Sequence, residues 1–249
     1  MNNTKYLWAD YLNQYYNISS NNINNKVIKK EIIKTDNSIN NSVNNLYSIT
    51  SDIIKYICES DDMNLDISDK ERIIITMTSW KNRIENVHHI IELIMNNSMK
   101  PDIININLSE EEFPNKEKDL PANLKKDITT NNKLRIHWVK HNTLVWKKLI
   151  PTLYKYPNDV IIAIDDDFEY PSDLIKTLYN EYVKYDKKYP ISGNHVIRNN
   201  MKCHCGCASL IKSSFILNTL NILNNDIIKN GSSDIFYTFC IYKNGLEYK

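Results

Sequence analysis

No stretch of this sequence approaches the roughly 18 consecutive apolar residues that a membrane span requires. The N-terminal residues, MNNTKYLWADYLNQYY, lack the charged-then-apolar layout of a secretory signal. Both absences predict a cytoplasmic protein, free or held at a membrane surface. Basic excess is lacking too: 31 lysines and arginines stand against 30 aspartates and glutamates. A nucleic-acid binder is read from a basic surplus, so no nucleic-acid partner is expected. The five cysteines are an odd number in a chain this long, which argues against a disulfide framework and for reduced thiols. Glycine is scarce, with four in 249 residues.

What is present divides at about residue 68. The first 50 residues hold 13 asparagines and neither glycine nor proline. Two patches in this region carry helical apolar spacing, Lys5–Tyr16 and Leu46–Cys58. Residues 1–68 therefore read as an Asn-rich, partly helical, otherwise irregular N-terminal extension, and residues 69–249 as the main domain. From Glu71 the pattern becomes regular. Arg72–Met77, Ile103–Leu108, Leu134–Val139 and Val160–Ile164 are strand candidates. Ile84–Met95, Lys116–Asp127, Trp146–Tyr156 and Pro171–Lys188 are helix candidates between and after them. Strands alternating with helices predict an α/β fold, a mostly parallel central sheet flanked by helices. The unbroken apolar character of RIIITM and VIIAI suits strands buried on both faces.

In such sheets ligands bind beyond the carboxyl ends of the strands. Two polar clusters follow strands at that end, TSWKNR after the first and DDDFEY after the fourth. Crowded carboxylates repel one another, and three consecutive aspartates at a strand end are tolerable where a cation sits. Oxygen ligands suit Mg²⁺ or Mn²⁺. In an extended segment Asp165 and Asp167 point to one side and Asp166 to the other, which makes Asp165 and Asp167 the candidate metal pair. KCHCGCAS crowds cysteines into one short segment, and no second ligand pair follows at zinc spacing. Gly206 within it marks a turn or a close approach of backbone to a ligand.

Three blocks, IIITMTSWKNRIENV, WKKLIPTLYKYPNDVIIAIDDDFEYP, and CGCASLIKSSFI with GSSDIFYTFCIYKNG, together resemble nucleotide-sugar-dependent glycosyltransferases of the GT-A (Rossmann-like) fold, in the family-2-like group. The resemblance runs from about Arg72 to Gly245, and its middle block is the most specific. It implies a hexosyltransferase-type enzyme that moves a sugar from a nucleotide-diphosphate donor, with UDP-sugars expected, to a glycan, lipid-linked or protein acceptor. It implies Mn²⁺ or Mg²⁺ as cofactor, with Asp167 and Asp165 as ligands. Thr78, Ser79, Trp80, Arg83, Lys148, Asp165 and Asp166 would contact the donor. Gly206, His195 and Arg198 would line the acceptor side. Asp234, at the predicted start of a late helix, would take the proton of the attacking hydroxyl in an inverting displacement. Many relatives carry two acids where this chain has Ser233-Asp234. That departure keeps open an inactive nucleotide-sugar-binding module. A D-x-D phosphotransferase is a further alternative, disfavoured because its motif normally sits on an early strand.

Overall fold

A computed structural model describes residues 51–198, 201–204 and 208–249. The helix expected over Lys5–Tyr16 and most of the Asn-rich extension lie outside them. Four strands, β1 (Ile73–Thr78), β2 (Ile103–Ser109), β3 (Leu134–Val139) and β4 (Val160–Ile164), pair in parallel. The six-stranded sheet has the order β3-β2-β1-β4-β8-β5, with β5 at Ile191–Ser192 and β8 at Ala208–Ile211. Strand β8 is antiparallel to both β4 and β5. A separate hairpin joins β6 (His195–Arg198) to β7 (Met201–His204). The α/β class and the mostly parallel sheet are as expected, and the antiparallel β8 between β4 and β5 is an addition.

Burial follows position in the sheet. Every residue of β4 and all but the last of β1 are buried, as central strands require. Strand β3, at the edge, alternates between buried and more exposed residues. Helix α1 (Asp52–Cys58) precedes the sheet, and α2 (Val87–Met95) and α3 (Ala122–Thr130) follow β1 and β2. The helix expected over Lys116–Asp127 is a 3-10 turn at Lys116–Asp119 and then α3, because Pro121 cannot donate to a continuous helix. Likewise Trp146–Tyr156 divides into a 3-10 segment, Leu144–Lys148, and α4 (Ile150–Lys155), with Pro151 in the first turn of α4. Helix α5 spans Leu174–Lys184. Helices α6 (Ser213–Ile216), α7 (Asn225–Asn230) and α8 (Ser233–Lys243) complete the chain.

Polar ties fix the ends of these elements. Asp159, fully buried before β4, accepts from the Arg72 backbone N (2.9 Å), Nε (3.1 Å) and Nη2 (2.6 Å). The starts of β1 and β4 are thereby locked together. Asn97, after α2, accepts from the Ile175 N at 3.0 Å and donates to the Pro171 O at 3.1 Å. The segment carrying the aspartates is thus stitched to the end of α2.

The packed unit reaches further toward the N-terminus than the onset of alternation at Glu71. Ile54, Ile57 and Cys58 of α1 are buried, and α1 packs on α4. Beyond α1, Ser60 bridges Val139 on the free edge of β3, and Lys140 N donates to Glu59 O at 2.6 Å. An acidic run then lies along a basic border: Asp62 pairs with Lys155 at 2.7 Å and Asp66 with Arg72 at 2.9 Å. Residues 52–68 therefore pack with the sheet. Cys58 and Cys240 are buried free thiols, and burial pushes both pKa values up, Cys240 to about 12.

Candidate functional site

The strand order reverses between β1 and β4: successive strands run outward through β2 and β3, and the chain then returns to add β4 on the other side of β1. A reversal of this kind opens a crevice at the carboxyl ends of the two central strands. The TSWKNR and DDDFEY turns leave the sheet at that crevice, and there they meet. Ser79, buried, donates from Oγ to Asp166 Oδ2 at 2.5 Å. Arg83 reaches Asp166 Oδ1 with Nη2 at 2.9 Å and Asp167 Oδ2 with Nη1. Its Nε is buried and has no partner. Lys148 Nζ contacts Asp165 Oδ1 at 2.7 Å.

Local features hold these side chains in place. Tyr170, five residues beyond Asp165, folds back over the turn. Its hydroxyl accepts from the Asp165 N at 2.8 Å and donates to the Asp165 O at 3.2 Å. Lys148 is fixed through its backbone, since its carbonyl accepts from Thr76 Oγ1 at 2.6 Å and Asn107 Nδ2 at 3.0 Å. Thr78 Oγ1 donates to the Asn107 O at 2.7 Å, which ties the end of β1 to β2.

The alternation expected of an extended D-x-D stops at Asp165, because Asp166 and Asp167 lie in a turn. Asp166 and Asp167 share Arg83, while Asp165 turns to Lys148. Asp166 is buried, whereas the side chains of Asp165 and Asp167 are 27% and 43% exposed. Burial pushes the Asp166 carboxyl above the usual carboxylate range and Asp167 adds to this, while the bonds from Ser79 and Arg83 pull it back.

A cleft of about 360 Å³ opens beside this cluster. Thr78, Ser79 and Arg83 form one side, and exposed Trp80, Leu144 and Val145 give it apolar surface. Glu112, from the connection after β2, and Asn142 and Lys147, both from the connection between β3 and α4, supply polar groups. Lys147 is almost wholly buried, with Nζ at 2.8 Å from Asn142 Oδ1 and 3.2 Å from Glu112 Oε2. Burial pulls its pKa below the ordinary lysine range, and the charges of Glu112 and Asp166 oppose this. Sequence reasoning passed over Lys147 in favour of Lys148. The left-handed backbone of Leu144 (φ 52°) and the 3-10 winding turn the two lysines to different partners, and only the WKK tandem hinted at it.

Asp234 lies in the first turn of α8. The next turn of α8 is anchored to the lysine segment, for Trp146 packs edge-on against Phe236 (5.3 Å between ring centres) and Tyr237 (5.9 Å). Asp234, Asp165 and Lys148 all act electrostatically on buried His204. Burial pulls its imidazole pKa down, Lys148 adds to the fall, and Asp234 and Asp165 oppose it. The structure thus gathers Thr78, Ser79, Trp80, Arg83, Lys148, Asp165, Asp166 and Asp167 around one crevice and brings the charge of Asp234 toward it. His195 and Arg198 stand on β6 by backbone position, His195 opposite His204. Gly206 lies outside the described residues. Glu112 and Asn142 were not foreseen, while His204 drew notice only within the KCHCGCAS pattern and Tyr170 only as the residue that closes DDDFEY.

Fold and site together define an α/β protein with a charged crevice at the reversal of its strand order. No family model matches the chain, and no curated protein matches it. Among the described residues no helix is long and apolar enough to cross a membrane.

Proposed function

We propose that this protein is a glycosyltransferase of the GT-A kind that uses a nucleotide-diphosphate sugar, with UDP-sugars the first candidates. One observation carries the reading. The turns after β1 and β4 meet through Ser79, Arg83 and the three aspartates, and a cleft with both an aromatic face and cations adjoins them. A nucleotide presents a flat ring and a row of phosphates. Trp80 offers surface for the first, and Arg83 and Lys147 offer charge for the second.

The donor set suits a divalent ion of the magnesium type, which typically takes one or two protein carboxylates and completes its shell with phosphate oxygens and water. Among the described residues no group of three or more His, Cys, Asp or Glu side chains converges as a closed cage, and that mode of binding needs none. Asp167 and Asp165, the more exposed of the three acids, would hold the ion. Bound there, it would neutralise the diphosphate and stabilise it as a leaving group. Arg83 and Lys148 now compensate the aspartates, and they stand ready to turn to the phosphates when a donor arrives. In the transfer step the acceptor oxygen bonds to the anomeric carbon, and the bond from that carbon to the diphosphate breaks. The hydroxyl proton passes to the Asp234 carboxylate. Attack from the face opposite the leaving group gives an inverting enzyme, and the acceptor is a glycan, lipid-linked or protein hydroxyl.

The deciding experiment is a panel of UDP- and GDP-sugars with Mn²⁺ or Mg²⁺, read by calorimetry and by sugar release. At least one donor should bind and turn over only with metal, and Asp167→Asn should abolish turnover while leaving the circular dichroism spectrum unchanged. Full turnover in excess chelator would overturn the metal role. Binding without any turnover would indicate a nucleotide-sugar-binding module, and release of phosphate from a phosphomonoester would indicate a phosphotransferase.

A further inference from the structure

Three stretches of chain meet beside the cleft: residues 59–61 beyond α1, 110–112 after β2 and 140–142 after β3. His141 joins them. Its Nδ1 lies 3.0 Å from Glu111 Oε1 and its Nε2 3.0 Å from Glu59 Oε2. The ring stacks on Tyr56 of α1, with 3.8 Å between ring centres and 11° between planes. An ionised carboxylate only accepts hydrogen bonds, so an imidazole flanked by two of them satisfies both when it carries both protons. Burial disfavours that imidazolium, and the bonds to Glu111 and Glu59 with their charges outweigh it, which holds the pKa above the usual 6.5. The other charged groups at this corner answer one another: Lys140 and Lys116 each pair with both Asp61 and Glu110, at 2.6–3.2 Å.

The carboxylate that meets His141 also reaches the cleft. Glu111 Oε2 accepts from the Asn142 N at 2.8 Å. That bond, with the one from His141, holds the Glu111 carboxyl below the usual range. Asn142 Oδ1 in turn accepts from Lys147 Nζ at 2.8 Å and from the Leu144 N at 3.1 Å. Glu112, next along the chain from Glu111, meets the same Lys147 Nζ at 3.2 Å. Two adjacent pairs thus work back to back. Glu111 and His141 lie on the outer side, and Glu112 and Asn142 hold the lysine of the cleft.

We propose that His141 is a positioning residue of the cleft: as an imidazolium it clamps Glu59 to Glu111, and so holds Asn142 and Lys147 in the arrangement that receives a diphosphate. That the occupant is a diphosphate rests on the reading of the cleft as a nucleotide-sugar site; the hold on Lys147 stands apart from it. The clamp is complete below the pKa of an unfolded histidine, about 6.5, and is lost as pH rises through the higher folded value.

Two readouts on the full-length chain separate clamp from ligand. The first needs no nucleotide: trace acetylation of Lys147 by acetic anhydride, read by mass spectrometry relative to exposed Lys176. At about pH 6.5 this ratio should be at least about threefold higher in His141→Gln than in the wild type, the effect of cutting one link of a hydrogen-bonded network. At about pH 9 the two proteins should agree, because the wild-type ring is then neutral. His141→Arg, whose guanidinium can meet two carboxylates and stack on Tyr56 at either pH, should protect Lys147 throughout. The second readout is calorimetry with UDP and Mg²⁺, where His141→Gln should bind at least about threefold more weakly at the lower pH only. The clamp lies at the surface, with the Glu59 and Glu111 side chains 58% and 53% exposed, so these changes spare the core. Glu59→Gln, which removes one flanking charge, should show the same loss in smaller degree and decides the matter if His141→Gln lacks a native circular dichroism spectrum. Equal Lys147 reactivity in wild type and variant at the lower pH overturns the proposal. So does a difference that persists undiminished at pH 9, since the ring would then act by shape alone. UDP affinity unmoved while Lys147 reactivity changes overturns the role in ligand binding. No UDP binding by any of the proteins overturns the nucleotide reading alone, because Lys147 reactivity still decides the clamp.

Discussion

His137 is held neutral in a place where a charge would be costly. Its pKa falls from the ordinary 6.5 to about 4 because burial disfavours the imidazolium. Between those two values the unfolded chain binds the proton and the folded chain does not, so stability rises with pH across this window. The full contribution is present above about pH 6.5 and is lost progressively as pH falls toward 4, on the order of 3 kcal/mol in all. Urea unfolding of the wild type at pH 7 and pH 4.5 should show that loss, and His137→Gln should show much less of it. Equal losses in both proteins would place the sensitivity elsewhere. Asp234 governs a different quantity. Asp234→Asn keeps the size of the side chain in the first turn of α8 but cannot take a proton. Transfer should fall by roughly 10²–10⁴-fold, the usual span for a lost general base, with donor affinity within a few-fold of wild type. Unaltered transfer would leave Asp234 as an acid favoured by its place in the first turn of α8 only, and collapse of donor binding would move it into the donor site. The acids and the TSWKNR turn were legible in the sequence because each follows an apolar strand. Lys147, Glu112 and Asn142 were not, because Glu112 comes from the connection after β2 and the other two from the connection after β3, and only the fold brings those two segments together.

Helix α1 shows what local composition conceals. Its apolar spacing was visible, and the Asn-rich stretch before it made it look like part of a detachable extension. Its partners are α4 and the 3-10 turn at Leu144–Lys148, roughly a hundred residues later. A boundary at residue 68 marks where strand–helix alternation starts, and burial of Ile54, Ile57 and Cys58 shows that packing starts earlier. Backbone contacts group residues 45–249 as one unit. Removing residues 1–44 should therefore leave a cooperative thermal transition close to that of the whole chain. Removing residues 1–68 uncovers the surface beneath α1 and leaves Arg72 without Asp66, at a cost of several kcal/mol by analogy with large core deletions. Its melting midpoint should drop sharply, and equal midpoints for the two truncations would contradict this account.

At the scale of the molecule, the parallel half of the sheet could be read directly. Strands β1 to β4 are apolar runs of strand length separated by helical spacing and punctuated by prolines, and each lies within a residue or so of its expected place. The other half could not. Strands β5 and β8 are two and four residues long and are drawn into the sheet from distant segments. Their only signal is short-range apolarity, which helices share. This arrangement bears on how the protein is made. The outer edge of β4 is VIIAI, buried along its whole length in the finished fold, and the strand that covers it is Ala208–Ile211. Roughly 40 residues separate the two, or about 2–9 s of elongation at ordinary translation rates. Throughout that interval the growing chain carries a bare, uncharged strand edge, the kind of surface that recruits other strands. A chain cut after residue 200 should therefore partition into the insoluble fraction or onto chaperones, while the full chain stays in solution. The protein should complete its sheet only as the last sixth of the sequence leaves the ribosome.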